Sequence, residues 1–162
     1  MKPAAWITLL AIVLLSNVTV PAQQGRNAWW PQFRGPNSSG LGGGKPPVHF
    51  GPNQNVRWKT AVGAGLSSPI IWDERIFLTE FDRANKRLAT VCIDRRTGKI
   101  LWRRTVEPEK IEEVHALSSP AGATPATDGE RVYVFFGSYG LLCYDLNGNL
   151  KWERRLPNPE NP

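Results

Sequence analysis

The chain has 162 residues, a formal net charge of +6, a 41% apolar fraction, 15 glycines, 14 prolines and seven tryptophans, which suits one globular all-β core and excludes a disordered chain. The arginine excess sits in pairs such as Arg103-Arg104 and Arg154-Arg155 at strand ends. Without a nucleic-acid fold signature it reads as solvated strand edge, not as a phosphate-binding stripe, so no nucleic-acid partner is expected.

In chain order, residues 1–22 read as a secretory signal peptide: Lys2, an apolar run over residues 4–15, and Val20-Pro21-Ala22 before Gln23. An uncleaved anchor is the alternative, but the run is short of the roughly 20 residues a span needs, so no stable span is expected after cleavage. No cysteine stands at the cleavage site to take a lipid. The expected location is periplasmic or extracellular.

Residues 23–54 form a Pro/Gly-rich leader containing Trp29-Trp30-Pro31-Gln32-Phe33-Arg34-Gly35-Pro36 and Gly42-Gly43-Gly44-Lys45-Pro46-Pro47. Proline and glycine at this density exclude regular helix and central strand. Trp30 and Phe33 are expected to pack on the strand-rich region C-terminal to them. A glycine-rich phosphate cradle lacks its Lys-Ser/Thr and a following helix.

The repeat region is placed at residues 55–156. It opens on Val56-Arg57-Trp58-Lys59-Thr60, which matches the last-strand pattern of Leu101-Trp102-Arg103-Arg104-Thr105 and Leu150-Lys151-Trp152-Glu153. Trp58 is therefore expected to pack on the first complete unit. That unit is expected over about 66–106, with strands near 66–72, 75–81, 88–93 and 100–106 and an exposed hairpin at 82–87. Residues 107–119 read as a charged insertion with a helical turn or two. A second unit follows over about 122–155, four short apolar runs punctuated by Asp128-Gly129, Ser138-Tyr139-Gly140 and Asn147-Gly148, where hairpins need positive φ. Residues 157–162 are a proline-rich, linker-like tail.

The two units align. Ser68-Pro69-Ile70-Ile71-Trp72 corresponds to Thr124-Pro125-Ala126-Thr127-Asp128, and the run from Cys92 to Trp102 corresponds to that from Cys143 to Trp152. A repeat of roughly fifty residues with four strands per unit is the sign of a β-propeller blade. Cys92-Ile93-Asp94-Arg95-Arg96-Thr97-Gly98-Lys99-Ile100-Leu101-Trp102 resembles the repeat of the pyrroloquinoline-quinone-like β-propellers, a superfamily that includes quinoprotein alcohol dehydrogenases and the propeller lipoprotein of outer-membrane protein assembly. Secreted members often open with a leader similar to residues 29–36. The resemblance, over about 56–156, implies an all-β partial β-propeller made of four-stranded antiparallel blades. It implies that the glycine turns the chain before the last strand and that the tryptophan docks on the neighbouring blade, which gives a structural motif of Asp94, Gly98, Trp102, Asp145, Gly148 and Trp152. Two blades do not close a ring of four to eight; the chain is either a truncated or split member, or several copies associate through open blade edges.

Candidate chemistry is sparse. Cys92 and Cys143 occupy equivalent places in adjacent blades, so they are expected to be buried thiols and not a disulfide. His49 and His115 have no cysteine or histidine at ligand spacing, and His115 with Glu112 and Glu113 is the one place to look for a polar site. Ser67-Ser68 and Ser118-Ser119 precede proline, outside any nucleophile elbow. The resemblance raises quinone-dependent oxidation, which in the family uses vicinal cysteines, a stacking tryptophan and calcium. This sequence has no adjacent cysteines, and Asp94 and Asp145 read as turn-makers. No catalytic, cofactor-binding or metal residue is assigned. The expected function is a non-catalytic secreted module that binds or scaffolds, through loops and strand edges, a protein or glycan partner. The alternative is a fragment of a pyrroloquinoline-quinone-dependent oxidoreductase using the quinone and calcium.

Overall fold

The computed structural model describes residues 29–159. The signal-peptide reading of residues 1–22 and the end of the 157–162 tail lie outside them. Among the described residues, eight strands form two four-stranded antiparallel sheets, each a simple meander. The first contains β1 (Ile70–Trp72), β2 (Arg75–Asp82), β3 (Arg87–Asp94) and β4 (Ile100–Val106); the second contains β5 (Ala126–Thr127), β6 (Arg131–Phe136), β7 (Gly140–Asp145) and β8 (Leu150–Arg155). Turn chemistry sets the breaks: Gly98, Gly129, Gly140 and Gly148 all take positive φ, as do Asp73 and Lys86. A Cβ on Gly140 would stand 2.1 Å from the Arg154 carbonyl oxygen, so only glycine lets β7 start against β8 there. The register of both sheets shifts at one equivalent place, Cys92/Ile93 and Cys143/Tyr144, which keeps Trp102 opposite Cys92 and Trp152 opposite Cys143.

Strand alternation then sorts the faces. In the first sheet Phe77, Cys92 and Trp102 are cross-strand partners, as are Phe81 and Leu88, so this face points one way. In the second, Val132, Val134, Phe136, Leu142 and Tyr144 point back at it. Together with Ile70, Ala121 and Tyr139 these side chains make one buried core between the sheets. Each sheet would be open on that side alone, and their pairing removes the apolar area from water.

Three expectations are corrected. Residues 56–60 form no strand, because among the described residues no strand lies beside them to receive their backbone hydrogen bonds. Residues 107–119 form no helix; they run over the sheets as irregular chain held by contacts such as Glu112 N to Ser138 Oγ at 2.9 Å. In the leader, Phe33 is 58% exposed and does not pack. Trp29 does so instead: its ring stacks on Trp72 at 4.4 Å and 13°, and Nε1 donates to Asp73 Oδ1 at 2.9 Å. Trp30 exchanges two backbone hydrogen bonds with Ile71, 2.8 and 2.9 Å, and Thr127 N donates to the Pro31 carbonyl at 2.8 Å. The leader thus fastens the first strands of both sheets together.

Candidate functional site

Of the residues singled out by the repeat, Asp94 and Gly98 shape one hairpin turn, and Asp145 and Gly148 shape another that receives Trp102. In the first, Asp94 Oδ1 accepts from Arg96 N (3.0 Å), Thr97 N (2.7 Å) and Thr97 Oγ1 (2.9 Å), while Gly98 N donates to the Asp94 carbonyl at 2.8 Å. In the second, Asp145 Oδ1 accepts from Asn147 N and Asn149 N, both at 2.9 Å, and Oδ2 accepts from Asn149 Nδ2 and pairs with Lys151 Nζ, both also at 2.9 Å. These donors favour the charged carboxylate. The Thr97 amide and hydroxyl hold the Asp94 carboxyl below the usual range, and Asn149 with Lys151 holds that of Asp145 well below it.

Each turn receives an indole from the preceding stretch of chain. Trp102 Nε1 donates to the Leu146 carbonyl at 3.0 Å, and Arg104 Nε, two residues on and on the same face, donates to the Gly148 carbonyl at 2.6 Å. The ring lies so close that a Cβ on Gly148 would be 2.7 Å from Trp102 Cδ2. Trp58 repeats the arrangement one blade earlier. Its Nε1 donates to the Arg95 carbonyl at 2.9 Å, Thr60 Oγ1 donates to the Gly98 carbonyl at 2.5 Å, and a Cβ on Gly98 would be 2.6 Å from Trp58 Cδ2. The rule is one of position: the indole takes the carbonyl after the turn aspartate, and the residue two further on takes the carbonyl of the turn glycine. Sequence reasoning does not single out Thr60 and Arg104; their place two residues after each tryptophan is the available signal.

Trp152 and Arg154 are the third such pair. Among the described residues they have no turn to engage: Trp152 is 42% exposed and its ring contact is Tyr133 at 6.3 Å. Cross-strand pairing puts Tyr133, Cys143 and Trp152 on one face with Phe135, Leu141 and Arg154. Phe135 is 42% exposed and Tyr133 and Leu141 are half-buried, so this face is the apolar counterpart of the fully buried Phe77-Cys92-Trp102 face of the first sheet. Arg131 and Arg154 share this face by strand alternation.

The remaining candidates do not assemble. Cys92 and Cys143 are free and buried in separate sheets; burial pushes the Cys92 thiol up to about 12 and raises that of Cys143. His115 is exposed in a turn, accepting Leu117 N on Nδ1 at 3.2 Å. Glu112 lies against Gly137, and burial raises its carboxyl. Ser67 Oγ accepts from Thr79 N and Ser119 Oγ from Ala121 N, both as braces of the chain before the first strands. Among the described residues, no group of three or more His, Cys, Asp or Glu converges as a metal needs. A quinone held by paired cysteines and calcium does not fit these residues: the two thiols belong to different sheets and both motif carboxylates are spent on turns.

Residues 52–161 match the family described as outer membrane protein assembly factor BamB, a pyrroloquinoline-quinone-like repeat family. No curated protein matches the chain. Among the described residues, no helix is long and apolar enough to cross a membrane.

Proposed function

The chain belongs to the pyrroloquinoline-quinone-like propeller repeat family whose description is outer membrane protein assembly factor BamB, and from that premise we propose that it is a non-catalytic binding or scaffold module, exported to the periplasm or beyond, whose working surface is the Trp152 face. The observation that carries this reading is the third donor pair. Trp152 and Arg154 hold the repeat positions from which Trp58–Thr60 and Trp102–Arg104 hold a neighbouring turn, and they stand on an exposed apolar face. Exposed aromatic and arginine side chains that lose water together are what a docking surface offers a protein. Export is supported by Lys2, the apolar run over residues 4–15 and Val20-Pro21-Ala22.

Two experiments test it. A photo-crosslinking residue at Phe135, compared with one at Arg83 on the exposed hairpin, is expected to capture a defined protein from the Phe135 site alone, with capture lost in Trp152→Ala; equal capture at both sites contradicts the reading. Titration with pyrroloquinoline quinone and calcium is expected to leave tryptophan fluorescence without a saturable quench. Saturable quenching with reduction of an acceptor dye would replace the scaffold by an oxidoreductase.

A further inference from the structure

Resting on the reading of the Trp152 face as a docking surface, we propose that its occupant is a second copy of this chain, docked head to tail, with Trp152 and Arg154 of one copy on the Arg95 and Gly98 carbonyls of the next. The acceptor is already built. The Arg95–Gly98 turn, one residue longer than that of Leu146 and Gly148, likewise offers the carbonyl after its aspartate and that of its glycine, and each aspartate caps its turn, through Arg96 N and Thr97 N in the first and Asn147 N and Asn149 N in the second. The new contact would therefore continue the interface between the two sheets, with the Tyr133-Phe135-Trp152 face in the role of Phe77-Cys92-Trp102.

What holds that turn now is a stretch of chain outside any strand. Residues 56–60 pair with no strand, and Val56 at their start and Val62 just beyond them are exposed. Their hold on the first sheet includes the Trp58 and Thr60 bonds and the seat of the Trp58 ring on Gly98, with Gly63 N to Glu80 Oε2 at 2.7 Å and Phe81 N to the Ala64 carbonyl at 2.6 Å further along. Trp152 and Arg154 project from β8, a strand already fixed by β7, so less conformational entropy is lost when they dock. Displacing Trp58 and Thr60 exchanges two hydrogen bonds for two and covers the apolar face of the second sheet. The contact is heterologous: donor face on one copy, acceptor turn on the other. Such contacts propagate until the rotation closes.

Sedimentation velocity on the purified chain over a range of concentrations tests the inference. The expected result is concentration-dependent association that Trp152→Ala abolishes and that Trp58→Ala, by vacating the acceptor, strengthens about tenfold. Should Trp58→Ala lose its β-sheet circular dichroism, Thr60→Val, which removes only the hydroxyl donor, is expected to strengthen association in the same direction. A chain monomeric at every concentration, or one whose association ignores Trp152 and weakens when Trp58 or Thr60 is changed, overturns it. A monomeric chain that is still crosslinked at Phe135 to another protein sinks the second copy and leaves the binding role standing; a monomer with no such adduct sinks both.

Discussion

Trp102 donates its indole N–H to the carbonyl of Leu146 across the gap between two sheets, 44 positions away in sequence, and its ring occupies the space that a side chain on Gly148 would need. Aspartate, glycine and tryptophan of the repeat are therefore one device. The aspartate shapes a turn, the glycine clears its surface, and the tryptophan of the preceding blade sits on it.

Gly148→Ala is expected to be among the most damaging single changes. It forces a Cβ to 2.7 Å from Trp102 at a φ of +80°, combining left-handed backbone strain with a clash at the core. A loss of about 2–4 kcal/mol in urea denaturation is expected, and Gly98→Ala, at φ +74° under Trp58, is expected to cost less because Trp58 sits on loose chain.

Trp102 and Trp152 hold the same repeat position in different company. Trp102 is 8% exposed and packs against Phe77 at 5.8 Å and Tyr144 at 6.0 Å, so Trp102→Ala is expected to cost about 3–5 kcal/mol. Trp152→Ala, on an exposed face, is expected to change the stability of the dilute monomer by less than about 1 kcal/mol. Paired denaturation curves check the contrast.

Acid should loosen the turns. Asp94 and Asp145 have folded-state pKa values depressed below that of an unfolded aspartate, about 3.9. Their contribution is present above that value and is lost as pH falls through the folded pKa. Stability measured between pH 5 and pH 2 is expected to fall as pH is lowered, and Asp145→Asn is expected to flatten that acid limb while leaving its shape above pH 5 unchanged.

The leader should act as a fastener. Trp29→Ala removes the stack on Trp72 and the bond to Asp73, and a stack of this kind is worth about 0.5–1.5 kcal/mol beyond its buried area. A lower melting temperature and loss of near-ultraviolet tryptophan dichroism are expected, with Trp29→Phe recovering part of the stability.

Much of the architecture is legible in the sequence because its signals are local. Glycine and asparagine at hairpin positions, short apolar runs such as Val132-Tyr133-Val134-Phe135-Phe136, and one motif written twice point to two four-stranded sheets. The features that stay hidden depend on partners distant in sequence. Residues 56–60 have the pattern of a strand, yet a strand exists only where another receives its hydrogen bonds. Trp29, Trp30 and Phe33 are equally aromatic, and only the path of Pro31 past Thr127 decides that Trp29 and not Phe33 meets the sheet. The acceptors of Trp58 and Trp102 are backbone carbonyls, which every residue carries and no residue type marks. Their donors are visible in the sequence; the turns that receive them emerge only with the fold.

Hydroxyl-radical footprinting of the dilute chain, with oxidation of each tryptophan followed by mass spectrometry, distinguishes the three indoles by their exposure. Trp152 is expected to oxidise fastest of the three repeat tryptophans, Trp58 more slowly and Trp102 slowest, as one indole stands free, one is held by loose chain and one is locked between sheets. Equal rates for all three, or protection of Trp152 with exposure of Trp102, would contradict the account.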